Sequence, residues 1–357
     1  MEPCAALATG LRLPGACACQ GRRGGATLTA PATSMQRPML RSADLAAVPL
    51  ALPDLAPYRT GNTGVPYVTT FDSGRPGPHV LINALTHGNE ICGAQALDWL
   101  FRHEVRPARG RLTLSFANVE AYARFDPRRP YESRYVDEDF NRVWSAEVLG
   151  GRRASVELAR ARALLPIVAS ADFLLDLHSM HLASPPLMLC GMHPRALALA
   201  RRMGVPEHLV CDPGHDAGRR MRDYGAFDNP AGARTALLIE CGQHWDPASA
   251  AVARQTALRF LGALDAVAPA WLEPHLRPLP RRPQLEIHVS GPVTIASRDF
   301  HFVRDFQGLE VIPHQGTVIA RDGGREVRTP HDRCVLIMPG RNLAPGLTAV
   351  RLGRIVA

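Results

Sequence analysis

Lysine is absent from the 357 residues, so all 41 basic side chains are arginine. The uniformity reads as coding bias and carries no functional inference. No window of about 18 consecutive apolar residues occurs, so no membrane span is expected. Long basic runs and basic stretches interleaved with aromatics are also lacking. The net charge of +8 therefore points to no nucleic-acid partner. Half of that surplus lies in residues 1–42, where Arg12, Arg22, Arg23, Arg37 and Arg41 face only Glu2. The eight cysteines contain no CxxC, and the one close pair, Cys17 and Cys19, falls in the same segment. A chain of this length needs no disulfide framework, and reduced thiols in a cytoplasmic protein are expected. The stretch CAALATGL is interrupted by Arg12 and Pro14, and its charges follow the apolar residues. A secretory signal has the reverse order. Residues 1–42 show no periodicity and read as a disordered extension, or as a start assigned too early with Met35 or Met39 the true one. No internal repeat is present.

With 46% hydrophobic and 21% charged residues, the remainder reads as soluble and globular. Strands are expected at residues 67–71, 79–85, 112–119, 173–177 and 237–240. Helices are expected at 93–101, 157–169, 196–203 and 247–267, the first with apolar residues at 94, 97, 100 and 101. Residues 120–145 form a polar segment too long for an idle loop. Alternating strands and helices with near-continuous apolar strands predict an α/β fold: a mostly parallel, doubly wound sheet with helices on both faces. Residues 271–283 hold four prolines and read as a linker. Beyond it, alternating segments at 285–289, 316–320 and 334–338 predict a small all-β domain. The expected organisation is thus an extension at 1–42, a catalytic domain at 43–272 and a β domain at 280–357.

Four apolar runs lead into chemically loaded residues. HVLINAL precedes Thr86-His87-Gly88-Asn89-Glu90, and LTLSFANV precedes, across the long segment, Asp139-Phe140-Asn141-Arg142. ADFLLDL precedes His178-Ser179-Met180-His181, and ARTALLI precedes Glu240-Cys241-Gly242-Gln243. Open α/β sheets bind ligands at the carboxyl ends of their strands. An HxxE pair alone is weak, because 14 histidines and 14 glutamates in 357 residues give roughly 0.5 such pairs by chance. The plain alternative is a helix N-terminus at which Glu90 favours the dipole. Position adds weight: His87 and Glu90 begin where a buried strand ends, with Gly88 between them to let the backbone turn. Taken with His178, they make the two-imidazole, one-carboxylate set of a catalytic zinc that keeps a position open. His181 is the competing ligand, and Asp176, on the same strand face as His178, can accept an imidazole N–H. Glu240 ends an apolar strand and is either salt-bridged to an arginine or placed to move protons. Arg134 and the Asn141-Arg142 pair offer planar, carboxylate-matching groups.

These motifs, with Ser133-Arg134-Tyr135, occur in the order found in the succinylglutamate desuccinylase/aspartoacylase family, which this chain resembles over residues 43–357. The resemblance implies that His87, Glu90 and His178 hold one zinc per chain, and that Glu240 acts as general base and acid. It also implies that Arg134 stabilises the oxyanion and that Asn141 and Arg142 bind the substrate carboxylate. The family also uses a tyrosine from its β domain, whereas no Tyr follows residue 280 here; His331 stands in a corresponding loop. A further family arginine upstream of the catalytic Glu has Arg222 and Arg234 as candidates, with Tyr224 beside them. The expected activity is zinc-dependent removal of an acyl group from an N-acylated amino acid or similar small carboxylate. The alternatives are a carboxypeptidase-like or ester-cleaving hydrolase and a catalytically silent binding module. The expected partner is a small molecule, with no nucleic acid and no membrane; a homo-oligomer is compatible with the sequence, which does not give the oligomeric state.

Overall fold

Strands that read as unbroken apolar runs must be covered on both faces, and here they are. The computed structural model describes residues 51–279, 282–341 and 343–356, so the expectations for 1–42 lie outside the described residues. First come β1 (Val68–Asp72), β2 (His79–Ala84), α1 (Ile91–Arg102) and β3 (Arg111–Phe116). A short α2 (Val119–Tyr122) leads into the long polar segment, which is followed by α3 (Ala146–Gly150) and α4 (Val156–Ser170). The α/β part continues with β4 (Phe173–Met180), β5 (Leu187–Leu189), α5 (Pro194–Met203) and β6 (His208–Cys211). It closes with β7 (Thr235–Gln243), α6 (Pro247–Ala263) and α7 (Pro269–Leu272). After a 3-10 turn at Glu273–His275 come β8 (Leu285–Thr294), β9 (His301–Phe302), β10 (Glu310–Ile312), β11 (Val318–Asp322), β12 (Arg325–Arg328), β13 (Cys334–Ile337) and β14 (Thr348–Ile355).

The main sheet has the order β1-β3-β2-β4-β7-β5-β6-β8-β14-β13-β10. From β1 to β8 only β1 with β3 and β5 with β7 pair antiparallel, so β3, β2, β4 and β7 run parallel where His178 and Glu240 come together. The β-rich C-terminal strands continue this sheet, because β8 pairs in parallel with β6 before β14, β13 and β10 add antiparallel. Beside them β12, β11 and β9 form a separate three-stranded sheet. No helix among the described residues is long and apolar enough to cross a membrane.

Side-chain alternation divides the parallel strands between two cores. Val80 and Ile82 of β2, Leu175 and Leu177 of β4, and Leu237 and Ile239 of β7 pack against α1, α5 and α6. Leu81, Leu174 and Ala236 face the other way, into a cluster with α4 and Trp144. On that second face the strands turn polar toward their carboxyl ends. Leu174 gives way to Asp176 and His178, and Ala236 to Leu238 and Glu240, all of them buried. The site therefore opens on the face away from α1, α5 and α6.

Several boundaries differ from those expected. β4 continues to Met180 and β7 spans Thr235–Gln243, so His178 lies within a strand rather than just past it, and Glu240 is interior rather than last. Pairing of Met180 with Gln243, beyond a register shift, extends the β4–β7 ladder past both apolar runs. The strand expected at 112–119 stops at Phe116 because the Asn118 side chain accepts from the Ala121 N–H and starts α2. α6 ends at Ala263, just ahead of Asp265 in the left-handed region. The start of the expected linker is packed structure: Trp271 and His275 rest on Trp99, with ring centroids 6.4 and 4.9 Å away.

Glu157, in the first turn of α4 and fully buried, holds the long polar segment. Its carboxylate accepts from the backbone N–H groups of Val136 (2.7 Å), Asp137 (3.0 Å) and Glu138 (3.3 Å) and from the Asn118 amide (2.9 Å). Four donors satisfy a charge that would otherwise be costly to bury. Glu157→Ala is expected to cost roughly 2–3 kcal/mol through the N–H groups left without an acceptor. Tryptic cleavage after the exposed Arg124 and Arg128 should accelerate in that variant. An unchanged urea midpoint together with an unchanged cleavage rate would show that Glu157 does not hold the segment.

Candidate metal centre and substrate cavity

Strand register sets the distances in the site. His178 and Glu240 are direct partners on the parallel strands β4 and β7, and the register shifts immediately beyond them. Asn83 of β2 is likewise the partner of Asp176. After β2 the chain reverses at Leu85, whose φ of 59° lies in the left-handed region. That turn delivers His87 and Glu90 to the ends of β4 and β7. Gly88 stands in the turn that the Glu90 N–H closes on the His87 carbonyl (3.2 Å), as the sequence suggested, but without a left-handed φ. It is needed for space, since a Cβ there would lie 2.4 Å from the Ala121 carbonyl carbon and the Tyr122 nitrogen. The Gly88 N–H donates to the Arg134 carbonyl at 3.0 Å, which docks the long segment onto this corner.

Glu90 is the N-cap residue of α1, yet its side chain makes no cap hydrogen bond. Its carboxylate turns instead toward two imidazoles, with Oε1 2.8 Å from His87 Nδ1 and Oε2 2.9 Å from His178 Nδ1. Each imidazole has its other nitrogen tied to a second carboxylate. His178 Nε2 lies 2.7 Å from Asp176, and His87 Nε2 lies 3.0 Å from Asp139. Asp176 is itself fixed by Asn83 (2.8 Å) and Thr86 (2.9 Å). Both rings thus present Nδ1 to a common point, and one donor atom from each of His87, Glu90 and His178 lies within 4.8 Å of the others.

Despite the short separation, Glu90 Oε2 and His178 Nδ1 lack hydrogen-bond geometry, and Oε2 is left without a partner. Burial opposes charge on His178, but Asp176 and Glu90 outweigh it and hold the imidazole well above the ordinary histidine range. An imidazole held between two buried carboxylates, one of them with an unpartnered oxygen, marks a place that suits a cation, and metal binding displaces protons from such ligands. Two neutral nitrogens, one carboxylate oxygen and carboxylates behind both rings are the donor set of a catalytic zinc. The residues fit that ion.

A cavity of about 170 Å³ adjoins the cluster. It is smaller than the roughly 300–1,000 Å³ typical of sites for drug-sized ligands. All seven residues expected from the sequence line it: His87, Glu90, Arg134, Asn141, Arg142, His178 and Glu240. Arg134 donates from Nη2 to Asp139 (3.1 Å) and its Nη1 lies 3.6 Å from Glu90, so the guanidinium is held beside the cluster. Asn141 gives its side-chain oxygen to the Met221 N–H (2.9 Å) and is fixed by it. Glu240 Oε2 is buried without a partner. Burial pushes that carboxyl well above the ordinary range, with Glu90 acting in the same direction and His178 and Arg134 against it.

A model of the succinylglutamate desuccinylase/aspartoacylase catalytic domain matches residues 76–264, a span that includes all seven of these residues. The chain belongs to this family. A protein of Parasynechococcus marenigrum named "Probable aspartoacylase" is 37% identical over 175 residues, covering 46% of this chain and 52% of the relative. The chain therefore spans about half the length of that relative. A succinylglutamate desuccinylase of Paraburkholderia xenovorans is 27% identical over 296 residues, covering 76% and 79%. The fold is shared with the succinylglutamate desuccinylase structure from Vibrio parahaemolyticus, at a TM-score of 0.61 and 18% identity, over 81% of this chain and 86% of that one.

The remaining residues that the sequence singled out take other roles. His181 lines the cavity but stands outside the ligand cluster, stacked on Tyr131 at 5.1 Å. Burial, helped by Arg134, lowers its pKa to about 4. His331 bonds Ser290 (3.1 Å) and does not line the cavity. Arg222 is spent on Asp223 and on the carbonyls of Cys190 and Ala236, while Arg234 pairs outside the cavity with Asp172. Tyr224 faces a different cleft.

Sequence reasoning missed four contributors. Asp139 orients both His87 and Arg134, and its place two residues before Asn141 was the only signal. His215 enters the cavity from a loop, with its pKa lowered to about 3 by burial and by Arg142, Arg351 and Arg220. Thr348 and Arg351 arrive on β14, a strand whose short alternating pattern was not recognised.

Gly88→Ala is expected to force the 120–145 segment off the strand ends, because every atom that the new methyl meets is backbone. The melting temperature should fall by several degrees, and tryptic cleavage after Arg124 should accelerate. A variant with wild-type melting and cleavage would mean that the close approach is not required.

Proposed function

We propose that this protein is a zinc-dependent hydrolase that removes the acyl group from an N-acylated amino acid or a similar small carboxylate. One observation carries the reading. Two imidazole nitrogens and a carboxylate converge beside a buried, unpartnered carboxylate oxygen, that of Glu240. Zinc held by His87, Glu90 and His178 would polarise the scissile carbonyl and acidify a water.

The remaining chemistry falls to the chain's own side chains. Glu240 Oε2, with a raised proton affinity and no hydrogen-bond partner, takes a proton from the attacking water and hands it to the departing nitrogen. Arg134, oriented by Asp139, faces the negative charge that develops on the carbonyl oxygen. Arg142 and the free amide nitrogen of Asn141 receive the substrate carboxylate. Asp176 and Asp139 act through the histidines they orient. Among the described residues no step lacks its group, which argues against a silent binding module.

His178→Ala should purify without stoichiometric zinc and without amide hydrolysis, whereas His181→Ala should keep its metal. Metal analysis showing the reverse pattern would replace His178 by His181 as the ligand. Glu240→Gln is nearly isosteric and should retain metal and melting temperature while kcat falls by about 10²–10⁴. A near wild-type kcat in that variant would make Glu240 structural and remove the proton-transfer step.

A further inference from the structure

Relatives of this chain are named for aspartate and for succinylglutamate, which bring more than one carboxylate into a site. The cations of this cavity do not match that demand. Arg134 is engaged by Asp139 and Glu90. Arg351 donates from Nη1 to Asp212 (2.7 Å) and from Nη2 to the Gly214 carbonyl (3.1 Å), so its fork is closed. Asp212 also takes both terminal nitrogens of the buried Arg220, which ties the wall behind Arg351 into one network. Burial and the neighbouring arginines lower the pKa of His181 to about 4 and that of His215 to about 3, so neither supplies a strong cation. That leaves Arg142. Its only side-chain hydrogen bond among the described residues runs from Nη1 to the Asn141 carbonyl (2.8 Å), so Nη2 and Nε remain open.

The other wall is apolar. Met180, Leu189 and Ile337 belong to a buried cluster that surfaces in the cavity, with Met338 packed against it. Ile337 of β13 is the cross-strand partner of Arg351 of β14, so the apolar wall begins directly beside the closed fork. A second carboxylate away from Arg142 would lie against these side chains, meet only uncharged donors such as Thr348 and His215, or have to open the Arg351–Asp212 pair. Each choice strips a charge of water without a cation to match it.

We infer that the substrate carries one carboxylate, read by Arg142, and one uncharged apolar group seated on Leu189, Ile337 and Met338. The small cavity limits that group to a short branched or linear side chain or acyl chain. This inference rests on the deacylase reading for the identity of the scissile bond. It does not rest on that reading for the order in which ligands bind.

The test measures binding by calorimetry to zinc-loaded Glu240→Gln, which holds ligands without turning them over. N-acetyl-L-leucine or N-isovalerylglycine should bind at least about tenfold more tightly than N-acetyl-L-aspartate and N-succinyl-L-glutamate. Whichever of the first two binds better tells whether the apolar group belongs to the amino acid or to the acyl side. N-acetyl-L-leucinamide, which lacks the carboxylate, should bind at least about tenfold more weakly than the acid. Met338→Arg, placed at a partly exposed position, should shrink the preference over N-acetyl-L-aspartate by about tenfold by adding an open cation. Dicarboxylates binding as well as or better than the apolar ligands would overturn the inference, as would equal binding of acid and amide, or no binding of any ligand. Turnover of the same ligands by the wild-type chain separates the two readings. If the binding order holds and no amide is cleaved, the deacylase reading fails while the specificity stands.

Discussion

The site depends on one carboxylate. Asp139 accepts from His87 Nε2 (3.0 Å) and from the Asn141 N–H (2.8 Å) through one oxygen, and from Arg134 (3.1 Å) through the other. Burial pushes its carboxyl up, but the His87 and Arg134 charges outweigh this and hold it well below the usual carboxylate range. It therefore stays ionised and joins the strand-end cluster to the long polar segment. Glu157 fixes that segment from below, and the Gly88 contact fixes it from the side. Without these ties Arg134, Asn141 and Arg142 would have no defined place relative to His178 and Glu240.

Charge is managed differently on the two sides of the cavity. Around the metal cluster, carboxylates stand behind imidazoles, so that negative charge surrounds the point where the two Nδ1 atoms meet. On the opposite side, Asp212 and Asp223 neutralise Arg220, Arg222 and Arg351 at short range. A buried pair of this kind contributes little net stability, because desolvation offsets attraction. Its effect is geometric: it occupies the Arg351 guanidinium at the cavity wall and leaves Arg142 as the open one among the arginines that line the cavity.

The cavity also shows how the C-terminal strands enter the chemistry. β14 lies next to β8 in the main sheet, and β8 pairs with β6. Through that continuity Arg351 and Thr348, more than 100 residues beyond Glu240 in sequence, reach the same space. The tyrosine expected from a β domain is absent beyond residue 280, and among the described residues this wall is built from Thr348, Arg351, Ile337 and Met338.

The local chemistry was legible in the sequence wherever an apolar run met a loaded residue. The runs ending near His178 and Glu240 specify buried parallel strands, and a strand end fixes where its next side chain goes within a few ångströms. For this reason His87, Glu90, His178 and Glu240 could be named together from pattern alone. Asp176 could be paired with His178 because i and i+2 share a strand face. Residues whose role depends on long-range pairing could not be read in that way. Nothing near Asp139 says that it will meet His87, 52 positions away, and nothing in TAVRLGRI says that its arginine will lie opposite Ile337. At Gly88 the turn could be read locally, but the close approach by residues 121–133 could not. Sequence determined the elements and the reactive groups at their ends, since these follow from periodicity and side-chain chemistry. Only the tertiary structure decided which arginines are spent and which one is open to the cavity, because pairing is a property of distance in space.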